Sequence, residues 1–180
     1  MFSAPLPNGF DLRLLELRHA PAIFKAVDEN RLHLRPWLPW VDKTETEDDT
    51  AAFIRMSLEQ FAKNQAINTG IWKGEQIVGG IGTHPIDWLN QRVEIGYWLG
   101  QEFQGQGIVT NAARRMTTFL FDELELNRVE IRCAVANMKS SAIAKRLGFV
   151  HEGILRKAIL LGGAYHDLEL HGMVREDWKA

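Results

Sequence analysis

The stretch from Glu94 to Thr110 constrains this chain more than any other. An apolar, aromatic strand from about Val93 to Leu99 carries one acid, Glu94, and runs into a polar loop that ends in Gly105 and Gly107. A helix then opens, with Val109, Ala112, Ala113, Met116, Phe119 and Leu120 at the 3.6-residue spacing of a buried face. A strand that feeds a glycine loop at the start of a helix suits a phosphate. The first-turn N–H groups have no partner within the helix, and its dipole favours an anion there. Gly105 and Gly107 let the backbone come close to that phosphate in dihedrals closed to other residues.

Two phosphate loops are excluded. The chain has no Gly-Lys-Ser/Thr for a Walker loop. A Rossmann fingerprint needs a third glycine where Thr110 stands, and an early βαβ unit rather than a loop past mid-chain. The length of 180 residues suits one domain spanning 1–180. A net charge of −2 offers no basic field for nucleic acid. The single Cys133 rules out an internal disulfide framework and fits a reducing compartment. Met1 to Asn8 lacks the pattern of a signal peptide. No apolar run approaches the roughly 18 residues of a membrane span. The expectation is a soluble, cytoplasmic protein with no nucleic-acid or membrane partner.

Around the central stretch, alternation predicts a strand over Phe10 to Leu17, and Pro21 opens a helix to about Asn30. Thr44 to Asp49 is an acidic, Thr-rich entry to a helix reaching Lys63, with Phe53, Met56 and Phe61 among its apolar positions. Ile67 to Trp72 and Gln76 to Thr83 form a hairpin, where Gly79, Gly80 and Gly82 suggest a bulge or a close backbone approach. Asn127 to Val135 alternates as a strand, with Val129, Ile131, Cys133 and Val135 on one face. A short capped helix stops at Gly148, and a long hairpin turns at Gly162-Gly163.

Gln104 and Gly107 match Gln/Arg-x-x-Gly-x-Gly/Ala, the acetyl-CoA signature of the Gcn5-related N-acetyltransferases (GNAT), with Val109 where the pattern has Gly or Ala. Asn137-Met138-Lys139-Ser140, then Gly148-Phe149, Glu152-Gly153 and Tyr165-His166-Asp167, resemble the ribosomal-protein alanine/serine N-acetyltransferase (RimJ/RimL-like) branch of that superfamily. The resemblance spans nearly the whole chain. It implies an α+β fold of the acyl-CoA N-acyltransferase type, a mixed and mostly antiparallel sheet flanked by helices. It implies acetyl-CoA as acetyl donor, bound by Trp98, Leu99, Gln104, Gly105, Gln106, Gly107, Ile108, Val109, Thr110, Asn137, Ser140 and Arg146. It also implies a backbone N–H near Leu99 that polarises the acetyl carbonyl where the central strand splays from its neighbour, and an acceptor site bordered by Trp37, Trp40, His84 and Tyr97. Many relatives carry a tyrosine where Ala144 stands, and some carry a glutamate where Ile159 stands.

Each candidate also has a plainer reading. Glu94 is the expected base, or else a strand glutamate paired with Arg92 or Arg132. Ser140 either donates to the leaving thiolate or caps a helix that Asn137 is equally able to cap. The loop holding Trp37 and Trp40 walls an acceptor groove or pins itself to the core. His84 is a second base or a satisfied histidine; Arg146, with Lys145, meets the CoA 3′-phosphate or only the helix dipole. Asp167, Glu169 and His171 share one strand face and have the chemistry of metal ligands, but solvated pairing is commoner and no metal is expected. The expected reaction is direct acetyl transfer in a ternary complex to the N-terminal α-amine of a protein such as a ribosomal protein. The alternatives are acetylation of a small amine (polyamine, amino sugar or antibiotic) and non-catalytic acyl-CoA binding. A homodimer through Trp178 or the last hairpin is also expected.

Overall fold

The computed structural model describes residues 3–179. Its strands are β1 (Ser3–Pro5), β2 (Phe10–Leu14), β3 (Asn68–Lys73), β4 (Gln76–Thr83), β5 (Arg92–Leu99), β6 (Arg128–Ala134), β7 (Val150–Leu161) and β8 (Ala164–Val174). Its helices are α1 (Ala20–Glu29), α2 (Arg31–Leu34), α3 (Glu47–Ala62), α4 (Ile108–Asp122) and α5 (Met138–Arg146). The strands form one eight-stranded sheet in the order β1-β2-β3-β4-β5-β6-β8-β7. Every neighbouring pair is antiparallel except β5 and β6, which the α4 crossover sets side by side in parallel.

That parallel pair is short. Arg92, Val93 and Glu94 face Arg128, Val129 and Glu130, and there the pairing ends. Beyond it β5 stays with β4 as far as Leu99 opposite Gly79, while β6 stays with β8 as far as Ala134 opposite Leu168. The sheet is therefore unzipped along its middle, as the resemblance implied.

Side-chain alternation along the strands builds two cores. On one face Val93, Ile95, Val129 and Ile131 pack under Ala112, Ala113, Met116 and Leu120 of α4 and Ala144 of α5. On the other, Trp72 and Ile77 pack under Ile23 and Val27 of α1 and Ile54 of α3. A β-bulge lets β4 serve both cores. Ile71 lies opposite Gly79 and Trp72 opposite Ile77, so Val78 is the extra residue and turns into the first core.

Capping fixes the helices that flank the sheet. The Thr46 hydroxyl accepts from the Asp49 N–H at 3.2 Å, and Asp49 Oδ2 accepts from the Thr46 N–H at 2.8 Å, a capping box that opens α3. The buried stripe of α3 does not follow its largest apolar side chains. Thr50, Ile54 and Ser57 turn inward, whereas Phe53 and Met56 are 42% and 49% exposed. Ala51 and Leu58 pack beside Ile54 on the same core. Trp178 is also turned inward, its ring 6.0 Å from Phe121 and 6.4 Å from Phe149, and its indole N–H donates to Thr118. Those contacts bury it only in part.

Candidate active site

The gap between β5 and β6 opens into a cleft of about 2070 Å³ that crosses the molecule from the glycine loop to α3. The glycine loop stands at one end. Gly105 and Gly107 have φ of 76° and 73°, and Gly107 is the N-cap of α4 with no side chain capping it. The Ile108 and Val109 side chains are buried, so it is their main-chain N–H groups that face the loop. Gln104 is held from both sides: Lys139 Nζ donates to its Oε1 at 2.6 Å, and its Nε2 lies 2.8 Å from His33 Nε2. Burial, then the Lys139 charge, lowers the His33 ring below its ordinary pKa. On the rim, Arg146 donates to Thr110 Oγ1 at 2.9 Å, while Gln106 reaches the Glu102 carbonyl at 3.5 Å.

The unzipped edge of β5 exposes backbone. The Glu94 carbonyl points to β4, where it accepts from the His84 N–H at 2.8 Å. Strand alternation then turns the main-chain groups of Ile95, Tyr97 and Leu99 toward the gap. Asn137 Oδ1 caps α5 by accepting from the Ser140 N–H at 3.2 Å, which leaves the Ser140 hydroxyl free of that duty. Instead it meets Tyr97, oxygen to oxygen, at 3.0 Å. Tyr97 thus lies on the α5 side of β5, within the same cleft as Trp37, Trp40 and His84. Burial pushes its phenol far up, so it stays protonated.

Glu94 and Trp98 face the opposite side, toward α1 and α3. Glu94 Oε2 lies 3.3 Å from Arg132 Nε, and Oε1 lies 3.6 Å from His84 Nε2. Burial raises the Glu94 carboxyl above its ordinary pKa, opposed by His84 and Arg132 and assisted by Glu130. The side chain is 24% exposed, enough to meet a ligand in the cleft. The Trp98 indole lies over Gly80, where a Cβ would stand 2.6 Å from its Nε1, and its ring is edge-on to Trp40 at 6.4 Å. Trp37, Trp40, Phe53 and Met56 line the cleft beyond them. The sequence reading missed Phe53 and Met56 as cleft residues, along with His33 and Lys139. A strict count of the α3 period from Ile54 would have found the first two.

The metal-type group on β8 is differently composed. Asp167 Oδ1 accepts from the Lys157 N–H at 2.8 Å, away from the others. Glu169 and His171 are joined by Cys133, with their ligand atoms within 4.8 Å of one another. His171 Nε2 lies 3.0 Å from Glu169 Oε2, and burial raises the Cys133 thiol, which keeps it protonated. This is a buried polar contact beneath α5.

An unzipped parallel pair, an uncapped helix start preceded by left-handed glycines, and a carboxylate on the far side of the gap fit an enzyme that takes an elongated phosphate-bearing ligand. Residues 10–150 match the acetyltransferase (GNAT) domain, and the chain belongs to that family. It is 34% identical to the putative ribosomal N-acetyltransferase YdaF of Bacillus subtilis, over 99% of this chain and 98% of that protein. It is 30% identical to the ribosomal-protein-serine acetyltransferase of Escherichia coli, over 93% of each. Among solved structures, the ribosomal α-N-protein acetyltransferase RimL in complex with coenzyme A superposes with a TM-score of 0.93 at 27% identity, covering 96% of this chain and 98% of that one. Acetyl-CoA is the donor, and the chain is an N-acetyltransferase.

Proposed function

We propose that the protein acetylates the N-terminal α-amine of another protein, a ribosomal protein as in its named relatives. The observation that carries this reading is the open trough lined by Trp37, Trp40, Phe53 and Met56, which leads to Glu94 and suits an extended chain end. Bound acetyl-CoA supplies an activated acetyl group and a thiol leaving group. The residues from Gln104 to Thr110 hold its pyrophosphate through main-chain N–H groups, with Asn137 and Arg146 alongside. Main-chain N–H groups on the free edge of β5, near Leu99, polarise the carbonyl. Glu94 accepts the proton of the acceptor ammonium, directly or through water, and its raised proton affinity suits a base working near neutrality. The new bond joins the amine nitrogen to the carbonyl carbon as the carbon–sulfur bond breaks. Ser140 gives the departing sulfur its proton and takes in exchange the second proton that the nitrogen sheds on becoming an amide, while Tyr97 holds the Ser140 hydroxyl from behind.

The pKa of the acceptor also favours this choice. An α-amine near 8 is roughly a tenth neutral at pH 7, whereas a lysine near 10.4 is neutral in fewer than about one molecule in a thousand. A single carboxylate is therefore matched to the former. The reaction belongs in the cytoplasm, where Cys133 stays reduced. Two copies meet along the outer strand β7, whose exposed Val150, Ile154 and Leu160 mark an unpaired edge. Thiol release from acetyl-CoA against peptides beginning with Ser or Ala, an N-blocked lysine peptide, spermidine and an aminoglycoside tests the acceptor. Turnover confined to free N-terminal peptides supports the reading. Turnover only on a small amine would overturn it.

A further inference from the structure

Glu94 and Glu130 stand opposite one another at the last register position before β5 and β6 part. Two carboxylates so placed repel, and one of them should hold a proton unless a cation intervenes. Arg132 intervenes. Its NH2 donates to Glu130 Oε2 at 2.8 Å, and its Nε lies 3.3 Å from Glu94 Oε2. A guanidinium can serve two carboxylates with separate N–H groups, whereas an ammonium is a single point charge. Glu130, 5% exposed, has a second cation, because Arg128 Nε donates to its Oε1 at 2.8 Å. Arg128 in turn pairs through both terminal nitrogens with Glu152 of β7, NH1 to Oε1 at 2.7 Å. The pair passes over β8 at Gly172, where a Cβ would stand 2.6 Å from Arg128 NH2 and would also strike Glu152. A side chain there would displace it. The charges thus alternate without a break from Glu152 to Glu94 across four strands.

We infer that Arg132, braced by Arg128 and Glu130, is the positioning residue for Glu94, and that it keeps the carboxylate at the cleft available to take a proton from the acceptor. This deepens the reading of Glu94 as base and rests on it. The two carboxylates are driven apart accordingly. Burial works to raise Glu130, but hydrogen bonds from both arginines outweigh it and hold it below the ordinary range. Glu94, raised by burial and with only the longer contacts to Arg132 and His84 against it, lies above its ordinary range. Such divided pairs are how one site assigns its acid and base forms. The ionisable groups acting on Glu94 are His84 beyond β4, and Arg132 and Glu130 on β6.

The test is Arg132→Met, with Arg132→Lys as the conservative variant. The Glu94 carboxyl is followed by 13C NMR titration and assigned by its absence from Glu94→Gln. Losing a neighbouring cation is expected to raise its midpoint by about one pH unit, with part of the shift restored in Arg132→Lys. In parallel, kcat/KM on one peptide beginning with Ser is measured from pH 5 to 8.5 in both proteins. The acceptor's own titration cancels in the variant-to-wild-type ratio. That ratio is expected to be about tenfold lower at the acid end than at pH 8.5, the counterpart of a one-unit shift. A purely structural role would lower the ratio equally at every pH and leave the midpoint in place, and that result would overturn the inference. A shifted midpoint with a flat ratio would instead remove Glu94 from proton transfer, and Arg132 with it.

Discussion

Replacing Gly107 by alanine isolates the backbone requirement of the phosphate loop. At φ 73°, Gly107 holds a left-handed conformation at the start of α4. A Cβ there would meet only Asn111 Nδ2, at 4.0 Å, so crowding contributes nothing. What remains is the cost of a left-handed L-residue, about 1–2 kcal/mol. If the free loop keeps its shape, the variant loses that stability without ligand. If the loop relaxes, the same energy appears as weaker acetyl-CoA binding, about 5- to 30-fold in Kd. Either way, denaturant unfolding at saturating acetyl-CoA contains the sum and should fall by about 1–2 kcal/mol. Calorimetric titration of the free protein apportions it. Asparagine tolerates left-handed dihedrals, so Gly107→Asn should lose less than half as much as Gly107→Ala. Unchanged stability with ligand in Gly107→Ala, or equal losses in the two variants, would refute the argument.

Other outcomes follow from the same geometry. Tyr97→Phe removes the hydroxyl 3.0 Å from Ser140 Oγ and should lower kcat about tenfold with the peptide KM unchanged, read from steady-state thiol release. Trp40→Ala and Met56→Ala open the trough and should raise the peptide KM while leaving the acetyl-CoA KM within about twofold; equal rises in both would place these residues outside the acceptor path. Ile54→Ala deletes a side chain with 0% exposure beneath α1 and should cost about 2–5 kcal/mol in denaturant unfolding, with little change in kcat of the folded fraction.

The elements that sequence made legible are those whose signal is local. The period of α4, the Asn137 cap of α5 and the Gly162-Gly163 turn, with φ of 55° and 82°, each depend on residues within one or two turns. So does the glycine loop, and these together carried the resemblance to the family. What depended on distant partners was not legible. The inward stripe of α3 centres on Ile54, which packs in one core with Ile23 and Val27 of α1 and leaves Phe53 and Met56 to the cleft. Strand alternation puts Tyr97 and Glu94 on opposite faces of β5 but does not name Ser140, 43 residues further on, as the Tyr97 partner. Trp178, near the end of the chain, found its partners in α4 and at Phe149. In the row of charges from Glu152 to Glu94, Arg128, Glu130 and Arg132 are neighbours on β6, but Glu152 with Arg128 and Arg132 with Glu94 are 24 and 38 residues apart and only the strand order brings them together.

Whether Glu94 takes the acceptor proton is read from kcat of Glu94→Gln beside wild type from pH 6.5 to 9.5 on a peptide beginning with Ser. At pH 7 the variant should be slower by about tenfold, because roughly a tenth of an α-amine with pKa near 8 arrives neutral there. The gap should close as pH passes the α-amine pKa near 8, since the acceptor then arrives neutral without help. A deficit of the same size at every pH, or none at all, would contradict the claim.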